Sequence, residues 1–168
     1  MAVVTVKSTA ITARDGTPPS KPGLGLGSRR EYSFVGTVEV TNGDSIGSKY
    51  VMGSVPSSAR MSTLVKLSDA ITSAAADFGL YRTTQDGGAV VSASVFGSAV
   101  SLASADTTGT NVLHESGTLD IAYIEKPLWQ VLGLSADPGL VYDVVATLTA
   151  AATASGTLSV RCAFSEGN

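Results

Sequence analysis

The residues able to do chemistry are few and scattered. Catalytic and metal sites are built mainly from His, Cys and clustered carboxylates, and this chain of 168 residues has one His and one Cys. His114 stands beside Glu115, with Ser116 and Asp120 close in sequence, a grouping that would suit a general base. On a strand, adjacent side chains point to opposite faces, so His114 and Glu115 would not share a site. A single exposed or partner-facing His is the better reading. Cys162 could act as a nucleophile only with a basic partner to lower its pKa; it falls in register with Val160 and Phe164, which predicts a core thiol. Asp69, Asp77, Asp86 and Asp106 are spread through turns without the ligand spacing of a calcium loop. We therefore expect no catalytic residue, no cofactor and no metal.

Gly23-Leu24-Gly25-Leu26-Gly27-Ser28 invites a phosphate-cradle reading. A dinucleotide fingerprint needs a strand before it and a helix after it, and a P-loop needs Gly-Lys-Ser/Thr at its end. Here prolines precede the run and Arg29 closes it. It reads instead as part of an extended arm over residues 1–30. The arm opens on a short β-like run at residues 2–6 and continues through Pro18, Pro19 and Pro22, which can extend neither a helix nor a central strand. Leu24 and Leu26 are its only large apolar side chains after residue 14, too few to order it alone. The expectation is that it lies across another subunit, with Leu24 and Leu26 in apolar recesses and Arg29 or Arg30 near carboxylates; such segments commonly order on binding.

Composition excludes more than it selects. Charged residues make up 15% of the chain, against roughly a quarter in an average domain. The net charge of −3 argues against a nucleic-acid binder, which would show a basic face. Mean hydropathy is +0.25, high for a soluble monomer, and points to apolar surface covered by partners. The longest uncharged stretches are rich in Ser, Thr and Gly, so no membrane span is expected. Residues 1–13 lack a basic n-region, and Lys7 interrupts their apolar run, which argues against a signal peptide.

The elements follow from periodicity. Tyr32, Phe34, Val38 and Val40 alternate with polar residues up to the turn Thr41-Asn42-Gly43-Asp44. A strand is expected over residues 49–54. Another, with Met61, Thr63, Val65 and Leu67 on one face, competes with a helix over residues 59–76. Residues 77–82 form an aromatic-rich strand before the turn Gln85-Asp86-Gly87-Gly88. Residues 92–102 read as a short helix and residues 126–134 as a better one, with Pro127 at its first position, Leu128, Val131 and Leu132 inward, and Gly133 ending it. Trp129 is assigned to the core, with an interface hot spot as the alternative. The chain closes on a clear hairpin: Leu140, Tyr142, Val144, Ala146 and Leu148, a turn at Ala154-Ser155-Gly156, then Leu158, Val160, Cys162 and Phe164. The fold class is all-β: a jelly-roll or β-sandwich over residues 31–168, with one or two short helices and an extended N-terminal arm.

Several segments in order carry a family likeness: Asp77-Phe78-Gly79-Leu80-Tyr81; Gly87-Gly88-Ala89-Val90-Val91 into Ser94-Val95-Phe96; Pro127-Leu128-Trp129-Gln130-Val131-Leu132-Gly133-Leu134; Asp137-Pro138; and Tyr142-Asp143. Together they resemble the jelly-roll cement, or head-decoration, proteins of tailed bacteriophages over roughly residues 31–165. The resemblance implies a small jelly roll on the outer surface of a virion, bridging major capsid proteins, with no catalytic residues to carry over. Expected partners are the major capsid protein and further copies of the chain, a dimer before a trimer, and neither nucleic acid nor membrane. The rival readings are a tail or head-completion protein and a carbohydrate-binding jelly roll. The latter would normally gather aromatics and carboxylates in a groove; here 6% aromatic residues are scattered along the chain.

Overall fold

The computed structural model describes residues 7, 9–20 and 30–166. Eight strands carry the fold: β1 (Glu31–Val40), β2 (Lys49–Pro56), β3 (Arg60–Ser68), β4 (Ala75–Arg82), β5 (Val90–Ser101), β6 (Asp106–Asn111), β7 (Val141–Ala150) and β8 (Gly156–Ser165). Before them lies a six-residue helix, α1 (Thr9–Arg14), which the sequence reading did not place. A second short helix, α2 (Leu128–Val131), follows β6.

The strands form two antiparallel four-stranded sheets, ordered β1-β8-β3-β6 and β2-β7-β4-β5. Consecutive strands repeatedly cross from one sheet to the other, which is the jelly-roll arrangement. Alternation drives it, because each strand offers one apolar row to the space between the sheets. Leu158, Val160 and Cys162 from β8 meet a core that includes Val144, Ala146 and Leu148 from β7, all buried. Burying each of these Val and Leu side chains is worth about 1.5–3 kcal/mol.

Two glycines allow close backbone approaches, Gly36 between the two sheets and Gly79 between neighbouring strands of one sheet. A Cβ on Gly36 in β1 would fall on the Met52 backbone carbonyl of β2, and one on Gly79 in β4 would fall on the Ser92 and Ala93 carbonyls of β5.

Four expectations need correction. First, residues 92–102 are not a helix but most of β5; their Ala, Ser and Val run loses strict alternation because the register against β4 shifts at three places. Second, the inward row of β3 is not Met61, Thr63, Val65 and Leu67. A register shift between Met61 and Thr63 reverses the phase, so Leu64, Lys66 and Ser68 are buried with Met61. Third, β7 and β8 are no hairpin. They lie in different sheets, and the loop over residues 151–155 arches between them. Fourth, α2 spans only Leu128–Val131, with Pro127 at the N-cap position rather than inside it.

The end of α2 does follow the expected chemistry. Gly133 has φ +74°, and the Gly133 and Leu134 N–H groups donate to the Gln130 and Trp129 carbonyls, both at 3.0 Å. That pair of bonds satisfies carbonyls the helix would leave orphaned. At its start, the Leu128 and Trp129 N–H groups donate to the Ala59 and Ser57 carbonyls of the β2–β3 turn, at 2.8 and 3.0 Å. Leu128 is buried, and Val131 and Leu132 pack on the core as expected.

Candidate functional site

Most of the polar residues singled out in the sequence are occupied by a local structural task. His114 and Glu115 lie in a turn after β6, not on a strand. They still serve different neighbours: His114 Nδ1–H donates to the Leu119 carbonyl at 2.6 Å, and Glu115 Oε2 accepts the Ser98 N–H at 2.6 Å. Ser116 Oγ donates to the Val95 carbonyl at 3.0 Å, and Asp120 Oδ1 accepts the Ala122 N–H at 3.0 Å. No acid–base couple is assembled among them. Cys162 is a buried core residue, and burial pushes its thiol up to about 12.

The aspartates are likewise dispersed. Asp77 Oδ1 accepts the Ala99 N–H at 2.7 Å, and Asp69 Oδ2 accepts the Thr157 N–H at 3.0 Å. Asp44, in the β1–β2 turn, accepts the Tyr50 hydroxyl at 2.6 Å and the Thr41 N–H at 2.9 Å. Those two bonds, the hydroxyl foremost, lower its pKa. Among the described residues no three His, Cys, Asp or Glu side chains are grouped to hold a metal ion.

One polar cluster is hidden from the alternation pattern, because the register shift in β3 turns Lys66 inward. Lys66 is only 4% exposed. Its ammonium lies 3.2 Å from Asp106 Oδ2 and 3.4 Å from the Ser101 carbonyl, tying β3 to edge strand β6. Asp106 is held at about 2 by the Thr110 hydroxyl foremost, then the Gly109 N–H and Lys66, against the opposing pull of burial. A shallow recess of about 270 Å³ beside it is lined by Ser68, Asp69, Asp106, Thr157 and Ser159, among others. Its carboxylates are already spent on Lys66 and on backbone N–H groups, so the recess offers hydroxyls but no nucleophile–base pair. Ser57 is a second structural hub. Its hydroxyl donates to Asp137 Oδ1 and accepts the Leu140 N–H at 3.1 Å, stitching the β2–β3 turn to the approach to β7.

What remains available is apolar surface, and it is unevenly placed. Of the ten exposed large apolar side chains among the described residues, seven lie at one end of the sandwich: Tyr32, Val90, Ile121, Tyr123, Ile124, Leu134 and Val141. That end gathers the start of β1, the β2–β3 and β4–β5 turns and the long β6–β7 connection. Ile121, 73% exposed, opens a 3-10 turn (Ile121–Tyr123). The segment is pinned from below by Arg60, whose Nε donates to the Glu125 carbonyl at 2.6 Å. It is also held from within by Lys126, whose ammonium lies 4.2 Å from the Tyr123 ring centroid. The signal for this surface was the run Ile121-Ala122-Tyr123-Ile124, apolar yet without strand or helix period. Trp129 is half-buried and outside the core cluster, which corrects its core assignment: α2 is one turn long and buries Leu128 rather than the neighbouring ring. Of the four partner-binding residues expected in the arm, Arg30 is exposed just before β1; Leu24, Leu26 and Arg29 fall outside the described residues. Among the described residues no helix is long and apolar enough to cross a membrane.

No protein-family model matches the chain, and no curated protein is similar to it in sequence. Among solved structures, it is similar to a chain of the cyanophage Pam1 capsid asymmetric unit, with a TM-score of 0.52 and 18% identity. The likeness covers 88% of this chain and 91% of that one. At that identity the likeness is one of fold.

Proposed function

We propose that this protein is a non-enzymatic structural component of a phage virion, bound to the outer surface of the capsid and cementing neighbouring major capsid proteins. The observation that carries the reading is the apolar end of the sandwich. A jelly roll whose candidate catalytic groups are used internally leaves exposed apolar side chains as its main resource for binding, and most of these lie at one end of the sandwich, Ile121, Ile124 and Leu134 among them. An apolar patch of this kind marks an interaction site. The fold it shares with a chain of a phage capsid asymmetric unit supports the setting, and the resemblance to head-decoration proteins supports the cementing role.

In this reading residues 1–30 are a tether laid across a neighbouring subunit, with Leu24, Leu26, Arg29 and Arg30 making its contacts, and the chain acts as a homo-oligomer, a dimer before a trimer. Many modest contacts repeated over a closed shell add up through multivalency, so no single interface need be tight. Copy number tests the assignment. Hundreds of copies per particle, released without loss of the genome, fit a cement protein; a dozen or fewer would assign the chain to a tail or head-completion ring instead.

A further inference from the structure

The four sheet edges are not protected alike. An unpaired edge is a template for another chain, and proteins blunt it with bulges, short strands, Lys or Pro. β2 carries Lys49, Pro56 and a register shift between Val51 and Gly53. β5 breaks register three times, and its Phe96 and Val95 carbonyls accept the Ser116 and Leu119 N–H groups at 3.0 and 3.3 Å. β6 is six residues long, shifts register and holds Gly109 at φ +91°. β1 has none of these devices. Its ten residues pair with β8 without a break, and it contains no Pro and no Lys. Among the described residues only β8 pairs with it. Its inward row is also incompletely covered: Tyr32 is 38% exposed and Phe34 and Val38 are half-buried, whereas Val40 is fully buried.

We propose that β1 pairs antiparallel with β1 of a second copy, about a two-fold axis through Gly36, joining the two sheets into one. The register follows from the pleat and the charges. Directly opposed residues share a face, so the axis must pass through a residue and not between two. Axes at Val35 and at Gly36 give the longest overlaps within Glu31–Val40. The first sets Glu31 against the partner's Glu39 twice, and like charges directly opposite are destabilising. The second sets Ser33 against the partner's Glu39, giving that carboxylate a hydroxyl. It also sets Tyr32 against the partner's Val40 and Phe34 against the partner's Val38, aromatic–β-branched pairs of a stabilising kind. Gly36 meets the partner's Gly36 at the axis, where no side chains collide. The inference rests on the homo-oligomeric part of the reading above and is independent of attachment to a capsid.

Light scattering on the full chain tests it. The expected mass is twice the 17.0 kDa of one chain at tens of micromolar. Val35 is 67% exposed and faces Arg161 of β8, so Val35→Glu gains an in-chain partner and should leave the circular dichroism spectrum of the folded chain unchanged. In the dimer the new carboxylate lies diagonal to its own copy and to the partner's Glu39, and self-association should weaken about tenfold or more, the equivalent of about 1.4 kcal/mol. Opposed residues about 4.5–5.5 Å apart between Cα atoms suit a disulfide. Ser33→Cys/Glu39→Cys should therefore cross-link two chains on oxidation, and Glu31→Cys/Glu39→Cys should not. A monomeric wild type, a dimer indifferent to Val35→Glu, or cross-linking of the Glu31/Glu39 variant would overturn the proposal. Particles that take up a monomeric protein would overturn it while sparing the capsid reading; a β1-paired dimer that binds no particle would do the reverse.

Discussion

Replacing Asp106 with Ala should expose how much of the fold depends on one buried ion pair. The substitution leaves the Lys66 ammonium, 4% exposed, with the Ser101 carbonyl at 3.4 Å as its remaining described contact. Removing one partner of a buried pair costs about 3–5 kcal/mol. The Asp106 side chain is 13% exposed at the rim of the recess, so water can reach the vacated space and the lower figure, about 3 kcal/mol, applies. With a urea m-value of about 2 kcal/mol/M, the unfolding midpoint at pH 7 should fall by about 1.5 M. Lys66→Met/Asp106→Leu removes both charges together and should recover a large part of that loss, since apolar replacement of a buried pair is often neutral. The pH dependence carries an independent sign. Because folding lowers the Asp106 pKa to about 2, below the unfolded value of about 3.9, its stabilisation is present above about pH 4 and is lost as pH falls through about 2. Asp106→Ala should lose that portion of the acid limb. A midpoint shift below about 0.3 M, or a double variant no more stable than the single one, would refute the argument that the buried ammonium depends on this carboxylate.

Further outcomes follow from the same contacts. Gly79→Ala should prevent stable folding or lower the thermal midpoint severely in calorimetry, because its Cβ would meet the Ser92 and Ala93 backbone carbonyls rather than a movable side chain. Trp129→Ala should cost less than the ~3–5 kcal/mol of a core aromatic, as the ring is half-buried outside the core; a loss within that range in urea melts would return it to the core. Cys162 should stay unreactive to a thiol reagent in the folded protein at pH 8 and react fully in denaturant, given its burial and a pKa near 12. Deleting residues 1–28 should leave the domain from Glu31 folded by circular dichroism and weaken its co-sedimentation with particles; undiminished binding would make the arm dispensable.

The sandwich was legible wherever alternation ran unbroken. β1, β7 and β8 show their inward rows directly in Phe34, Val38 and Val40, in Tyr142, Val144, Ala146 and Leu148, and in Leu158, Val160, Cys162 and Phe164. The cap of α2 was legible because Gly133 is the residue that tolerates φ +74° there. Bulges defeated the reading elsewhere: one irregularity between Met61 and Thr63 turned Lys66 inward, and three in β5 gave a strand the look of a helix. The arch between β7 and β8 was missed because a turn signal marks where a strand ends, not which sheet the next one joins. The exposed apolar end was missed for a related reason. Ile121 and Ile124 have no period to betray them, and only the fold carries the β6–β7 connection to the end of the sandwich where Val90 and Val141 begin their strands.

The cementing role is tested most directly by heating. Particles lacking the protein, particles carrying it, and depleted particles to which purified protein has been added back would be scanned for genome release. The account predicts a lower release temperature for depleted particles and its recovery on add-back by the wild type, but not by a variant with Ile121, Ile124 and Leu134 changed to Ser. Equal release temperatures with and without the protein would contradict it.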